Sequence, residues 1–407
     1  MGDSETPLWG RVAEHAASLI PESPYRPQEG KPRLLIVGAG MMGREHLRVT
    51  QQLGWAEVQG IVDPFDGSIE WAQSDWALLS SQPLTVYADL REACLDSAVD
   101  AIVICSPNHT HYDVLKIVCE SGKPILLEKP MATTLADAME ILRLAREYPS
   151  VIQLGMQYRF KAQYVEALFE IRAKASLCAV KTVAMSEYRP PFLDKVNQWN
   201  KFNRHSGGTL VEKCCHYFDL MNVIAASRPN KIYASGGRGV NFLDFEWQGV
   251  PSDIDDHAMV IIDYANGTRA SFTLNMFCQE LFEELVVVGE CGRLVASEQA
   301  SFHHDRPSEA GLQVEVPGHP AYRPQPLGYP PWIEETGHYG ATFFEHIAFN
   351  LQLAGQEVDA ATPEQALWSL IVASAAQHSM RIGREVDVSA FCEENGIAAF
   401  FDASINS

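Results

Sequence analysis

The chain has 407 residues, 46% hydrophobic and 20% charged, which is ample apolar material for a core and too much for a mainly disordered polypeptide. Its 52 acidic residues outnumber 31 lysines and arginines, giving a net charge of −21. A field of that sign repels phosphate backbones and anionic lipid, so nucleic acid and membrane are set aside as main partners and an anionic small substrate would need a local basic pocket. No run approaches the roughly 18 consecutive apolar residues of a membrane span, and the first residues lack the basic-then-apolar layout of an export signal. The sequence therefore predicts a soluble, cytoplasmic protein. Nine cysteines, at 94, 105, 119, 178, 214, 215, 278, 291 and 392, show no C-x-x-C spacing and read as reduced core thiols. Met1 to Thr6 matches a loose myristoylation pattern that nothing basic supports.

In chain order, residues 1–32 are expected to be an N-terminal extension, with helical apolar spacing over 7–20 and a Pro-, Glu- and Lys-bearing connector over 21–32. From Arg33 the pattern changes to short unbroken apolar runs at 34–37, 58–62, 101–105, 125–127 and 151–154, each suited to a strand buried on both faces. Helical stretches over 41–53, 111–121 and 134–147 lie between them. That alternation predicts a doubly wound parallel sheet, a Rossmann domain over 33–155. Beyond it, over 156–390, a helix near 162–175 gives way to longer alternating strands. The runs 258–264 and 269–274 flank Asn266-Gly267, a two-residue hairpin signal, and 285–288 with 293–296 flank a second turn. An α+β domain with a large, mainly antiparallel sheet is expected there. A Pro- and Gly-rich loop over 306–331, closing helices over 341–354 and 363–382 and a tail over 391–407 complete the chain.

Gly38-Ala39-Gly40-Met41-Met42-Gly43 directly follows a predicted strand and opens a predicted helix, and Asp63 ends the next strand. In that context the glycines permit a tight turn and close approach of the backbone to a pyrophosphate at the helix N-terminus. Asp63 suits the ribose hydroxyls and repels a 2'-phosphate, so NAD is expected rather than NADP. Ser106, Asn108 and His111 follow the strand 101–105 at its carboxyl end, where open α/β sheets bind ligands, and join the expected cofactor contacts. His109 reads as a surface residue. Glu128-Lys129-Pro130 ends another strand on the same side and places a lysine beside the cofactor. Farther on, Gly207-Gly208 leads into a predicted helix on which Glu212, His216 and Asp219 fall within successive turns, with Glu212 and His216 at i, i+4.

These segments together resemble the Gfo/Idh/MocA family, which includes glucose-fructose oxidoreductase and inositol dehydrogenases. The resemblance runs from about residue 33 to 388 and takes in Gly155 to Phe160, Gly289-Glu290-Cys291-Gly292 and Arg381 to Arg384. It implies sugar or polyol chemistry, an open C-terminal sheet used for substrate and oligomer contacts, and a homodimer or homotetramer. Glu212 stands where the family pattern carries aspartate, and Lys213 where it is commonly apolar. Lys213 either enters the pocket as a substrate ligand or forms an ion pair with Glu212 or Asp219.

Oxidation of a secondary alcohol needs a base of near-neutral pKa at the hydroxyl and a fixed cation for the developing alkoxide. His216 and Lys129 fit those roles, with Glu212 and Asp219 holding the imidazole tautomer and Lys213 as a further proton-transfer candidate. Arg159, Tyr188, Asn200 and Lys213 are the expected sugar contacts; the stretches 188–192 and 195–204 mix aromatics and amides with Arg189, Lys195, Lys201 and Arg204, which with Lys213 would suit a carboxylate or sulfonate on the sugar or else read as solvated loop cations. His303-His304-Asp305 lacks a further ligand set, and no metal is expected. The expected activity is an NAD-dependent dehydrogenase acting on a cyclic sugar, glycoside or inositol. A redox-neutral, NAD-dependent glycosidase working by transient oxidation and elimination is the alternative, and a non-catalytic sugar-responsive regulator is a third reading that Lys129 and His216 argue against.

Overall fold

The computed structural model describes residues 30–301, 308–323 and 327–403. The expected helix over 7–20, all but the last residues of the connector, His303-His304-Asp305 and the end of the tail lie outside them. Strands β1 (Arg33–Val37), β2 (Glu57–Val62), β3 (Ala101–Ile104), β4 (Ile125–Glu128) and β5 (Ile152–Gly155) form a five-stranded sheet in the order β2-β1-β3-β4-β5, parallel throughout. The unbroken apolar runs have their physical reason here, since β3 and β4 are buried at every position under crossover helices that include Met41–Leu53, His111–Val118 and Leu135–Glu147. Thr134 starts the last of these by accepting from the Asp137 amide at 3.1 Å. Because all five strands run the same way, Gly38, Asp63, Ser106 and Lys129 emerge along one edge.

A second sheet is built from β6 (Val180–Tyr188), β7 (Pro229–Gly237), β10 (His257–Tyr264), β11 (Arg269–Asn275), β12 (Leu281–Gly289), β13 (Gly292–Ala300), β14 (Glu309–Glu315) and β15 (Val386–Asp387). Two short strands, β8 (Glu246–Trp247) and β9 (Val250–Pro251), pair separately. The large sheet has the order β14-β13-β12-β6-β11-β10-β7-β15, antiparallel except for the parallel pair β6 and β11. Both expected hairpins form; Gly267 adopts φ 90° in the first, and Gly289 pairs with Gly292 in the second. Alternation along the strands buries one face, including Val183, Met185 and Glu187 of β6, and leaves Tyr233, Met259 and Ile261 exposed on the other. Helices Cys215–Ala225 and Pro363–Ile382 lie on the buried side, the latter opened by a Thr362/Gln365 capping box and stopped at Gly383 with φ 65°.

Four local expectations are corrected, the first being the irregular loop over 306–331, within which Glu309–Glu315 forms β14 against β13. The helix near 162–175 is an α-helix only over Ala162–Leu168 and continues as a π turn over Phe169–Ala173, and the helix from His111 ends at Val118 in a 3-10 turn. Cys178 and Cys291 are disulfide-bonded, so they are not reduced core thiols. Pairing of β6 with β12 brings together two loops 113 residues apart, a proximity that no local spacing reveals. The other seven cysteines are free.

Beside that disulfide the backbone is tight. A Cβ added at Gly289 would stand 2.1 Å from the Leu177 carbonyl oxygen. Gly289→Ala is expected to destabilise the protein by about 1–3 kcal/mol, measured as a lower midpoint in thermal or urea unfolding; an unchanged midpoint would show that β12 ends with room to spare.

Candidate active site

At the sheet edge the three motif glycines separate into two kinds. A Cβ on Gly38 would lie 2.7 Å from the Ser106 amide nitrogen, and one on Gly43 would lie 2.0 Å from the Gly38 carbonyl oxygen, so both are required by packing. Among the described residues nothing lies within 4 Å of the same position on Gly40, leaving open space over the first turn of Met41–Leu53, whose N-terminus has no side-chain cap among them. Asp63 accepts from the Ala39 amide at 2.7 Å and the Phe65 amide at 2.8 Å and so fixes a carboxylate beside the loop. Open space above Gly40, uncapped amides and an oriented acid suit a dinucleotide's pyrophosphate and ribose.

The remaining expected cofactor residues shape this edge. His111 is buried with Nδ1 2.8 Å from the Pro130 carbonyl and Nε2 3.0 Å from the Ser106 carbonyl, so it ties two loops together and would act on a cofactor through them. Burial lowers its pKa, and a neutral ring can donate to only one of the two carbonyls. Asn108 is buried and reaches the Ser206 carbonyl at 3.5 Å, while Ser106 Oγ accepts from Thr110. Glu128 points inward: Oε1 is 3.1 Å from His46 Nε2, and Oε2 accepts from the Lys129 amide.

Lys129 crosses to the second domain. Its Nζ donates to the Glu212 carbonyl at 2.9 Å and to Glu212 Oε2 at 3.2 Å, and Lys195 Nζ donates to Glu212 Oε1 at 2.9 Å. Two ammonium groups therefore share one carboxylate. Burial pushes the Glu212 carboxyl up, but Lys129 and Lys195 outweigh it and hold it down at about 2. Burial opposes the charge on Lys129, yet Glu212, with Cys215 and Glu128, more than compensates and keeps it above the ordinary lysine range. For Lys195 the balance reverses: burial and repulsion from Lys129 exceed the attraction of Glu212, and its pKa falls.

His216 sits against Tyr158, ring on ring, with centroids 4.0 Å apart and planes 3° from parallel. Its Nδ1 is buried with no hydrogen-bond partner among the described residues. Burial, then the charges of Lys129 and Lys213, hold its pKa well below the ordinary histidine range, so it is neutral at physiological pH. Lys213 donates to the Tyr158 hydroxyl at 2.6 Å and lies 3.0 Å from Glu187 Oε1, which fixes the far end of the stacked ring.

Several expected roles change. Glu212 and Asp219 do not hold the His216 imidazole, because the predicted helix is two: Thr209–Glu212 ends before Lys213, and Cys215–Ala225 starts afresh, so the i, i+4 relation is lost. Asp219 instead takes both Arg159 Nε and Nη2 at 2.6 Å, and this buried bidentate pair leaves Arg159 committed to Asp219 and not placed as a sugar ligand. Neither Glu212 nor Asp219 pairs with Lys213, whose partner is Glu187. Tyr188 follows Glu187 on β6 and so faces the opposite side of the sheet, packed on Phe282. Asn200 is wholly buried and donates to the Leu193 carbonyl within its own loop. Tyr158 and Glu187 were not among the expected site residues, and Lys195 was expected only as a cation that would suit an anionic group on the sugar; a carboxylate at a buried position of an alternating strand was the available signal for Glu187. Among the described residues no group of His, Cys, Asp and Glu side chains is arranged to hold a metal ion.

The description "Oxidoreductase family, NAD-binding Rossmann fold" matches residues 33–156, and "Oxidoreductase family, C-terminal alpha/beta domain" matches residues 175–388. The chain thus belongs to the Gfo/Idh/MocA oxidoreductase family, and its Rossmann domain is an NAD-binding one. It is 28% identical to the uncharacterized oxidoreductase YrbE of Bacillus subtilis (strain 168) over 238 residues, 58% of this chain and 64% of that protein. To scyllo-inositol 2-dehydrogenase (NAD(+)) of the same organism it is 25% identical over 243 residues, 59% of this chain and 66% of that one. It therefore spans just under two thirds of the length of these two relatives. The fold superposes on apo scyllo-inositol dehydrogenase from Lactobacillus casei with a TM-score of 0.68 at 18% identity, covering 89% of this chain and all of the other.

Glu212 makes acid stability testable. A carboxyl at about 2 when folded and near 4.3 when unfolded contributes stability above pH 4.3 that disappears as pH falls toward 2. That contribution is about 3 kcal/mol. Glu212→Gln should lower stability at pH 7 and flatten its decline between pH 4.5 and 2.5 in urea titrations; parallel wild-type and variant profiles would contradict the shared-carboxylate arrangement.

Proposed function

We propose that the protein is an NAD-dependent dehydrogenase that oxidises a secondary hydroxyl of a cyclic sugar, glycoside or inositol, favouring substrates that carry an anionic substituent. The observation that carries this reading is a lysine at the cofactor edge anchored on the Glu212 carboxylate, with a buried imidazole stacked on Tyr158 whose protonation the lysine's charge opposes. The inositol dehydrogenase relative supports the polyol class. Gly38, Gly40 and Gly43 with Asp63 would hold the NAD, which when bound accepts the hydride from the carbinol carbon.

The chain's residues handle the oxygen and its proton. Lys129 donates a hydrogen bond to the reacting hydroxyl and stabilises the charge that builds on it. His216, neutral because burial and two lysines oppose its protonation, takes the proton. Glu212 keeps Lys129 charged, and Tyr158, braced by Lys213, sets the plane of the imidazole. Lys195 gives the trio Lys129, Glu212 and Lys195 one unmatched positive charge, which a carboxylate or sulfonate on the substrate would balance.

A panel of inositols, neutral sugars, uronates and glycosides, followed both at the nicotinamide absorbance and for released aglycone, tests this. NADH should accumulate, fastest with an anionic member. Released aglycone without net NADH would replace the dehydrogenase with the redox-neutral glycosidase. Lys129→Met and His216→Ala should each lower kcat by about 10²–10⁴ while NAD still binds in a fluorescence titration; loss of NAD binding would mean that these residues hold the cofactor instead.

A further inference from the structure

One carboxylate–imidazole pair beside the site has no part in the reaction as described above. Four successive residues, Gly337, His338, Tyr339 and Gly340, have positive φ, at 136°, 42°, 53° and 86°. Two of them carry side chains, an arrangement that persists only when surrounding contacts enforce it. His338 Nδ1 lies 2.8 Å from Glu45 Oε1 on the helix Met41–Leu53, and Thr342 Oγ1 donates to the same oxygen at 2.5 Å. Gly337 must be glycine for this approach, since a Cβ there would stand 2.2 Å from the Glu45 Cδ. Tyr339 reaches toward the substrate side: Lys161 Nζ lies 5.6 Å from its ring centroid and 4.4 Å from that of Tyr158, which stacks on His216. The segment thus joins the nucleotide-side helix to the immediate neighbourhood of His216.

The two imidazoles differ in backing. His216 is buried, with Nδ1 unpartnered among the described residues. His338 is about a third exposed, with Nδ1 held by a carboxylate that is itself only 12% exposed. We propose that His338, backed by Glu45, is the proton exit of the site, receiving through water the proton that His216 takes from the substrate and passing it to solvent. The proposal rests on the dehydrogenase reading given above. The balance is one turnover of alcohol oxidation: the C–H bond breaks with hydride leaving to NAD, and the O–H proton moves to His216. His338 accepts it at Nε2 while Nδ1–H stays on Glu45, and solvent takes the proton from there, returning both rings to neutrality.

The charged and titratable groups about this pair fit that direction of travel. Burial raises the Glu45 carboxyl, but His338, Thr342 and His46 together bring it below the usual range, so it is ionised and able to accept from Nδ1. Arg48, one turn farther along the helix, is occupied with the Thr336 carbonyl at 3.0 Å. Glu334, on the short helix before the segment, is raised by burial to about 7. Burial and the charges of Lys129, Lys213 and Lys161 oppose a charge on His216, so a proton there is driven away from it.

His338→Ala and Glu45→Gln in the NAD-loaded enzyme test the relay, using the fastest member of the panel above. In weak buffer, His338→Ala should lower kcat by about tenfold or more with KM little changed, and free imidazole should restore most of the loss. In a stopped-flow first turnover with a pH indicator, proton release should lag behind NADH in the variant and keep step with it in the wild type. Glu45→Gln should show the same lag to a smaller degree. A loss that imidazole does not rescue, or an unchanged kcat, would overturn the proposal. If His338→Ala does not fold, His338→Gln replaces it, with NAD binding as the check. Without any substrate, carbethoxylation of the NAD-loaded protein at pH 7 and peptide mass spectrometry should mark His338 ahead of His216; the reverse order would place His338 away from solvent and overturn the exit role. Should no panel member yield NADH, the dehydrogenase reading fails and the relay with it, whereas NADH formation with a wild-type-like His338→Ala refutes the relay alone.

Discussion

Glu212 is the constraint on which the site depends. One carboxylate, buried between Lys129 from the nucleotide domain and Lys195 from the loop after β6, crosslinks the two domains through charge. Removing Glu212 would leave two ammonium groups short of their shared partner, the situation that makes broken ion pairs far more costly than intact ones are stabilising. The same trio fixes the protonation of its surroundings. Lys129 remains an ammonium, Glu212 remains ionised, and the positive excess helps to keep His216 neutral.

A second carboxylate repeats the pattern farther in. Glu187 of β6 stands beside Lys213, which holds the Tyr158 hydroxyl, and Tyr158 carries His216 on its ring. Behind the nucleotide edge, Glu128, His46 and His346 form a buried chain with contacts of 3.1 and 2.8 Å, so the strand that delivers Lys129 is tied to Met41–Leu53 and to the helix Ala341–Leu353. Rigidity of Lys129 and His216 thus comes from polar contacts between elements distant in sequence. Such groups need that support, because small displacements of positioned catalytic groups are expensive in rate.

The parallel sheet was legible because strands buried on both faces must be apolar throughout, and the glycine turn because only glycine tolerates the backbone contacts found at Gly38 and Gly43. The hairpins at Asn266-Gly267 and at Gly289 to Gly292 were legible from turn chemistry. What the sequence hid were partners set by tertiary packing. A continuous helical pattern across Lys213 concealed the break that separates Glu212 from His216, and the pairing of Arg159 with Asp219 joins positions 60 residues apart. Tyr188 and Glu187 adjoin in sequence yet occupy opposite faces of β6, so the residue that pairs with Lys213 was the one passed over. The disulfide between Cys178 and Cys291 depended on strand order in the same way.

The central claim is that the Lys129 ammonium and the His216 imidazole share one electrostatic environment. Titration of the His216 ring by NMR in wild type and Lys129→Met, both in the NAD-loaded protein, measures that coupling directly. Loss of the neighbouring cation should move the His216 transition to higher pH, since one of the influences opposing its protonation is gone. Superimposable titration curves would show that the two groups do not act on the same atom.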